Sequence, residues 1–144
     1  IPGLAVHFGR CCHPLPGDRI VGIVTTGRGV TVHTIDCDTL EQFNDTPERW
    51  LDVSWDSDEA EAGEASHVGR IVTVLSNRPG AMAALSTVIA KGQGNISNLK
   101  ITNLSMDFFE MLIDVEVTSV KHLSNIIAAL RAMPVITSVE RARG

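Results

Sequence analysis

The second half of the chain alternates between strand and helix patterns in an order that few folds share. A β-branched run from Arg70 to Leu75 leads into Asn-Arg-Pro-Gly, and an apolar stripe at helical spacing starts directly afterwards. Proline pre-sets the backbone for the first turn of a helix, and glycine permits a tight junction before it. Strand and helix are therefore predicted to be joined by one short turn.

The remaining elements of this half can be placed from periodicity. They are a helix over about 80–91, a strand over 95–104, a strand over 109–117, a helix capped by Ser119, and a last strand over 135–141. The order β-α-β-β-α-β, in two comparable halves, predicts a ferredoxin-like split βαβ unit. Both helices would cover one face of the sheet, so we expect the unit to self-associate through its open face or its edges.

The first 55 residues predict a smaller, turn-rich unit with a thin core. Its predicted elements are a hairpin of 20–24 and 29–33, a short helix over 37–43, and a strand over 47–55 that is anchored by Trp50. Few apolar side chains are available here, so we expect the unit to need an additional cross-link for its stability. The whole chain is thus predicted to be α+β, with a small Cys-rich α+β module ahead of the βαββαβ domain.

An acidic segment separates the two units. Residues 56–67 contain five acidic residues and no Lys or Arg, with too few apolar residues to offset the entropy of ordering. We therefore divide the chain into a module over 1–55, a flexible linker over 56–67 and a domain over 68–144. His67 in this linker and His122 on a polar helix face are expected to be solvated.

Cys11, Cys12, His33 and Cys37 form the first candidate site. Zn²⁺ takes thiolate and imidazole ligands in a tetrahedron, and the predicted hairpin could bring His33 and Cys37 beside the cysteine pair. Three alternatives stay open: small buried side chains without a metal, a thiol redox switch at Cys11–Cys12, and Cys–His catalysis, for which no orienting partner is evident. An odd cysteine count with two adjacent members argues against a disulfide framework and for a reducing, cytoplasmic setting.

The turn from Asn77 to Met82 is the second candidate site, with the chemistry to hold a free amino acid. Free N–H groups at the helix start favour a carboxylate, and amide oxygens of Asn77 and Asn95 can accept from an ammonium group. A neighbouring protomer could bring Asn95 over this turn. The side chain of the amino acid would meet Met82, Leu85 and Ile96, which carry no charge, so valine or isoleucine fits best. The alternative is a structural turn with no ligand. The full predicted set is Asn77, Arg78, Pro79, Gly80, Ala81, Met82, Leu85, Asn95, Ile96 and Ser97.

Charge and hydropathy argue against two classes of function, a nucleic-acid-binding module and a membrane-spanning segment. The net charge is −5, and no segment has the dense Lys and Arg clustering that phosphate-backbone binding requires. No apolar run is long enough to cross a bilayer, so we expect no membrane partner. The chain opens Ile1-Pro2-Gly3 without an initiator Met, which predicts that it is a fragment of a longer protein.

Two motifs resemble one known family. Residues 70–141 resemble an ACT domain, whose first loop reads D-x-P-G with a large apolar residue two positions on; here Asn77 replaces the Asp. The string Phe8-Gly-Arg-Cys-Cys-His-Pro-Leu-Pro-Gly-Asp-Arg-Ile-Val-Gly22, followed by Thr26-Gly-Arg-Gly29, is similar to the Cys-rich module that precedes ACT in RelA/SpoT homologues. The metal set matches that motif position for position.

The resemblance implies that this chain is the C-terminal regulatory region of an enzyme that makes and breaks (p)ppGpp. The fragment would then be no enzyme and would hold no catalytic residue, whereas its parent would be a GTP pyrophosphokinase and (p)ppGpp 3′-pyrophosphohydrolase. Implied partners are the parent's catalytic domains, the ribosome, and a second copy through the ACT domain. The implied rival function is docking to the ribosome or another partner with no small-molecule ligand.

Overall fold

The computed structural model describes residues 5–25, 27, 29–55 and 67–142 and contains two four-stranded sheets. The strands of the first sheet are β1 (Val6–Phe8), β2 (Ile20–Thr25), β3 (Gly29–Thr34) and β4 (Trp50–Leu51). Their order is β1-β3-β2-β4, and β1 pairs with β3 in parallel while the other pairs are antiparallel. The predicted acidic linker lies outside the described residues, apart from His67.

The N-terminal module differs from its prediction on both sides of the hairpin, and β1 was not predicted. The hairpin is confirmed, and the predicted short helix is a 3₁₀ helix over Asp38–Phe43. The predicted strand over 47–55 is wrong: a 3₁₀ turn, Pro47–Arg49, precedes the two residues of β4. Pro47 suits the first position of that turn, and it has no backbone N–H to donate to a neighbouring strand. Trp50 is only half-buried, and its indole N–H donates to Phe43 O at 2.8 Å.

The C-terminal unit has the predicted split βαβ topology. Its elements are β5 (His67–Ser76), α1 (Ala81–Lys91), β6 (Asn95–Leu104), β7 (Phe108–Val117), α2 (Val120–Arg131) and β8 (Ile136–Arg141). The sheet order is β6-β7-β5-β8 and every pair is antiparallel. The fold class is therefore α+β, as predicted.

Alternation along the strands builds the core of this unit. Every second residue of β5, and of β7 from Met111 onward, is buried, and both helices place their apolar stripes over that face. Ser119 caps α2 by accepting from the backbone N–H of His122 at 3.1 Å. The buried stripe of α2 is the predicted one: Leu123, Ile126, Ile127 and Leu130.

The two units share one core, which the sequence did not predict. Leu15, from the module, is fully buried among core residues of the C-terminal unit. A Cβ placed on Gly69 would lie 2.8 Å from Leu123 Cδ2 and 3.3 Å from Leu15 Cδ1, so Leu15 packs against the start of α2. The N–H of Val120 donates to Pro16 O at 2.9 Å. The segment after the cysteine pair is thus docked on the C-terminal unit.

The predictions for His67 and His122 are wrong because both imidazoles have structural partners. His67 is buried and meets the stacked rings of Phe8 and Trp55 edge-on, with centroid distances of 5.5 and 5.6 Å. The Nδ1 of His122 accepts from the N–H of Thr118 at 3.0 Å. Its Nε2 therefore carries the proton and donates to Gly92 O at 2.6 Å, which ties α2 to the end of α1.

Candidate metal centre and ligand loop

The structure brings all four predicted metal ligands together. Cys11 and Cys12 lie in the turn after β1, His33 lies in β3, and Cys37 directly precedes the 3₁₀ helix. Their ligand atoms all lie within 4.8 Å of one another. Parallel pairing of β1 with β3 is what places the cysteine pair beside the imidazole. A Cβ on Gly9 would stand 2.9 Å from His33 Nδ1, so this approach depends on glycine.

The donor spacing fits a tetrahedral ion. Zn–S and Zn–N bonds of about 2.3 and 2.0 Å separate two sulfurs by roughly 3.8 Å, and a sulfur from a nitrogen by roughly 3.5 Å. Cys11 Sγ lies 3.9 Å from Cys12 Sγ and 3.3 Å from Cys37 Sγ. His33 Nδ1 lies 3.3 Å from Cys11 Sγ and 3.8 Å from Cys12 Sγ. Small side-chain adjustments would therefore complete a Cys₃His site, and the cluster could hold a metal ion.

The environment makes the four donors unequal. Burial raises the pKa of the Cys12 thiol from 9.0 to about 12, even though the N–H of Thr34 points at its sulfur from 3.4 Å. Burial also acts to raise the pKa of Cys37, but hydrogen bonds from Cys11 and Thr39 outweigh it and leave that pKa below 9.0. Burial lowers the pKa of His33, which keeps the imidazole neutral. A neutral imidazole is the form that binds a metal.

Arg141, which the sequence analysis did not single out, lines the cavity beside this cluster. The cavity has a volume of about 200 Å³ and is bounded by the three cysteines, by Thr34, by residues 36–39 and by the end of β8. The Arg141 guanidinium donates to both carboxylate oxygens of Asp18 and to His13 O. Only the tertiary arrangement brings the end of the C-terminal sheet to the cluster.

The predicted ligand loop is an exposed turn at the start of α1. Gly80 has a left-handed φ of 81° and open space where a Cβ would stand. The N–H of Ala81 donates to Arg78 O, and the N–H of Ala84 donates to Gly80 O. Among the described residues, the backbone amides of Met82 and Ala83 between them have no such acceptor. Two amides therefore point out of the helix start.

Contacts from the following hairpin hold this loop. Asn77 donates from its side chain to Ser105 O and from its backbone to Asp107 O, both at 2.8 Å. Met82 and Ile96 are half-buried against the core. Ala81 and Leu85 are fully buried, so they support the loop from below and present no surface to a ligand.

The two halves of the predicted ligand set lie at opposite ends of the sheet. Asn77 follows Ser76, which pairs with Phe108, whereas Asn95 pairs with Glu116 and so lies level with Val68. Eight strand residues separate these levels, on the order of 27 Å. Ser97 donates to Asp114 O, and Asn95 donates to Glu116 Oε1 at 2.8 Å. One chain therefore does not bring the ten predicted residues into a single pocket.

Comparison with known families accounts for both units. Residues 1–56 match the model of the RelA/SpoT RIS domain, and residues 64–141 match an ACT domain model. The chain belongs to the RelA/SpoT homologues. It corresponds to their C-terminal regulatory region, in which the cysteine cluster lies in the RIS domain and the Asn77 loop lies in the ACT domain.

Curated RelA/SpoT relatives align over nearly the whole chain. A GTP pyrophosphokinase rsh of Brucella ovis is 40% identical over 130 residues, which are 90% of this chain and 17% of the relative. A GTP pyrophosphokinase of Myxococcus xanthus is 33% identical over 98% of this chain and 18% of the relative. The bifunctional (p)ppGpp synthase/hydrolase SpoT of Escherichia coli is 29% identical over 98% of this chain and 20% of its own. The chain therefore spans about a fifth of the length of these relatives.

The C-terminal unit is also similar to a solved ACT domain. The ACT domain from the GTP pyrophosphokinase of Chlorobium tepidum aligns with a TM-score of 0.47 and 22% identity, covering 54% of this chain and all of that one.

Neither α1, with 11 residues, nor α2, with 12, is long enough to cross a bilayer, and the described residues contain no other α-helix.

Proposed function

We propose that this RelA/SpoT region senses a branched-chain amino acid and tunes the enzyme of which it is part. The observation that carries the proposal is the loop at the start of α1, where Gly80 leaves open space above the free amides of Met82 and Ala83. Backbone amides at a helix start bind a carboxylate. The Asn77 carbonyl oxygen beside them can accept from an ammonium group. Valine or isoleucine supplies both groups with an uncharged side chain.

A second copy of the chain would complete the site. β6 is an edge strand of the described sheet, and among the described residues Asn95 at its start pairs with none on the outer side. If two β6 strands pair antiparallel about their midpoint, Asn95 of the partner subunit lies beside Leu104. Ser105, the next residue, is bound by the Asn77 side chain. Dimerisation would thereby bring the partner subunit's Asn95, Ile96 and Ser97 over the loop.

The Cys-rich module would act as a zinc-stapled support. Cys11, Cys12, His33 and Cys37 would hold the ion, which would cross-link the turn after β1 to the segment after β3. A structural zinc supplies folding free energy that a thin core lacks. Arg141 then links this support to the ACT sheet. In the whole protein, which we place in the cytoplasm, the module would also engage the ribosome.

Regulation would follow from linkage between ligand binding and the arrangement of the parent protein. An amino acid that prefers one arrangement of this region shifts the balance between (p)ppGpp synthesis and hydrolysis in the catalytic domains, by no more than its differential affinity. A coupling free energy of about 1–3 kcal/mol is typical. The region itself supplies no catalytic group to either reaction.

Titration calorimetry tests the sensor proposal. Valine and isoleucine should bind saturably to the chain, and lysine and aspartate should give flat traces. Asn77→Ala should abolish binding, because it removes both the accepting oxygen and the hydrogen bond to Ser105 O that holds the loop. Flat traces for all amino acids, with a normal circular dichroism spectrum, would contradict the proposal.

A mixing experiment tests whether the site is shared between two copies. Asn77→Ala and Asn95→Ala should each abolish binding alone. When the two variants are refolded together, half of the dimers are mixed and each mixed dimer contains one intact site. About a quarter of the wild-type number of sites should therefore return, because the interface is isologous. No recovery, despite verified mixed dimers, would show that the two asparagines do not meet in one site.

The rival function is docking without a small-molecule ligand. Its support is an exposed apolar group at the end of the β6–β7 hairpin, where Leu104 and Met106 are 63% and 93% exposed. Surfaces of this kind mark interaction sites. Replacing Met106 with Gln should weaken docking under that function and leave valine affinity unchanged, so the two functions are separable by calorimetry.

A further inference from the structure

The cysteine cluster contains one pair of thiols that is closer than its metal-ligand role requires. Cys11 Sγ lies 3.3 Å from Cys37 Sγ, and 3.9 Å from Cys12 Sγ. A disulfide needs a separation of about 2.05 Å, so the first pair has to close by only about 1.2 Å. The sequence had suggested the adjacent pair, Cys11–Cys12, as the redox pair. The geometry favours the pair that is 26 residues apart.

Access to solvent distinguishes the same pair. Cys11 and Cys37 are half-buried, whereas Cys12 is buried with 6% of its surface exposed. The cavity of about 200 Å³ is lined by all three cysteines, so it opens the cluster to a small oxidant, and burial alone sets Cys12 apart. That volume is several times the roughly 30 Å³ that one water molecule takes up in the liquid, so a peroxide can enter.

We propose that Cys11 and Cys37 form a reversible disulfide when the site lacks metal, with hydrogen peroxide or a similar small peroxide as the oxidant. One thiolate attacks the peroxide, its O–O bond breaks, and a sulfenic acid and one hydroxide form. The second thiolate attacks the sulfenic sulfur, forms the S–S bond and expels the second hydroxide. The two thiol protons convert both hydroxides to water, so two sulfurs are oxidised as one peroxide is reduced.

The disulfide and the metal exclude each other. The disulfide removes two of the four ligands and leaves Cys12 and His33, which are too few for a tetrahedral structural site. The covalent bond joins the same two segments, the turn after β1 and the start of the 3₁₀ helix. Under oxidising conditions the module would thus exchange a cross-link through a metal ion for a disulfide cross-link.

Peptide mapping after peroxide treatment tests the proposal in the metal-free chain. Trypsin releases Cys11 and Cys12 together in the peptide 11–19 and Cys37 in the peptide 29–49. The chelated chain, freed of reductant, should give these two peptides cross-linked, with the mass of two hydrogens lost. Cys12→Ser should cross-link like the wild type, and Cys11→Ser should lose the cross-link at low peroxide. Chain unfolded in urea should lose this preference.

Three outcomes would overturn the proposal. These are an equal cross-link in Cys11→Ser, a disulfide within peptide 11–19, and no intramolecular cross-link in a chain whose circular dichroism is native. Zinc loaded beforehand should slow the cross-link at least tenfold. The disulfide should form in the chelated chain whether or not the chain binds zinc or valine, so failure of the proposed function is distinguishable.

Discussion

Arg141 forms a bidentate ion pair with Asp18 across the boundary between the two units. Its Nη1 donates to Asp18 Oδ1 at 2.8 Å and its Nη2 donates to Asp18 Oδ2 at 2.7 Å. The exposed fractions of the two side chains are 18% and 13%, so solvent screens the pair less than a surface pair. This hydrogen bonding with Asp18 raises the pKa of Arg141. The last strand of the ACT domain is thereby fastened beside the cysteine cluster.

Removing this guanidinium should loosen the module from the ACT domain. Arg141→Ala leaves the half-buried Asp18 carboxylate without its cation and should lower the free energy of unfolding by about 2 kcal/mol. Both tryptophans, Trp50 and Trp55, lie in the module, and both α-helices lie in the ACT domain. Urea unfolding followed by tryptophan fluorescence and by helical circular dichroism should coincide in the wild type and separate in the variant.

The control for that experiment is Lys121→Ala, because Lys121 is exposed. It should change the free energy of unfolding by less than about 0.5 kcal/mol. Coincident transitions in Arg141→Ala, with unchanged stability, would mean that the ion pair contributes nothing to docking.

Leu15 should count as a core residue of the ACT domain although it belongs to the other module. It is fully buried against Leu123, so Leu15→Ala leaves a cavity and should cost about 3 kcal/mol. The matched control is Ile35→Ala, at a side chain that is 52% exposed, which should cost less than about 0.5 kcal/mol. Equal and small losses in thermal and urea unfolding would contradict the shared core.

The Arg70–Asp114 pair should set part of the acid stability. Arg70 donates to both Asp114 oxygens, at 2.7 and 3.2 Å, and this holds the pKa of the Asp114 carboxyl below its ordinary 3.8. The unfolded chain therefore takes up this proton first as the pH falls. The pair makes its full contribution to the free energy of unfolding above about pH 3.8. That contribution is lost as the pH falls through the pKa of Asp114 in the folded chain.

Asp114→Asn should lower the free energy of unfolding at pH 7 by about 1 kcal/mol and flatten its decline below pH 4. The measurement is urea unfolding at pH 7, 5 and 3. The control is Asp52→Asn, which changes an exposed carboxylate that forms no ion pair within the described residues. This variant should keep the wild-type free energy of unfolding at pH 7 and the wild-type decline below pH 4. If the free energy of unfolding of Asp114→Asn fell as steeply below pH 4 as that of the wild type, other groups would be responsible for the loss of stability in acid.

Zinc should stabilise the chain in a pH-dependent way. At free zinc of about a hundred times Kd, the gain is about 2.7 kcal/mol. Burial holds the pKa of Cys12 at about 12, so the ion has to displace a proton from its thiol, and the apparent affinity should rise from pH 6.5 to pH 8. His33→Ala should abolish the gain, whereas His7→Ala, at an exposed imidazole of β1, should retain it. Thermal unfolding with zinc and with a chelator decides between these outcomes.

Several features were correctly predicted from local pattern. The split βαβ order follows from alternation in β5 and β7 and from helical spacing in α2, because a buried face imposes its own period on the sequence. The residues of the cluster that could hold a metal ion were also brought together as expected, since thiols and an imidazole are rare enough to stand out in the sequence. The predictions failed where the elements are short. β1 has three residues and β4 has two, which are too few to show the alternation of buried and exposed residues that is typical of a strand.

The amino-acid pattern specified the strands of the ACT domain, the helices that cover them and the side chains that could hold a metal, because those properties depend on neighbours along the chain. It did not reveal that Leu15 fills the ACT core, that Arg141 reaches Asp18, or that Asn77 and Asn95 lie at opposite ends of the sheet. These relationships join residues far apart in sequence, and their free energy comes from burial and charge pairing that exist only once both units have folded against each other.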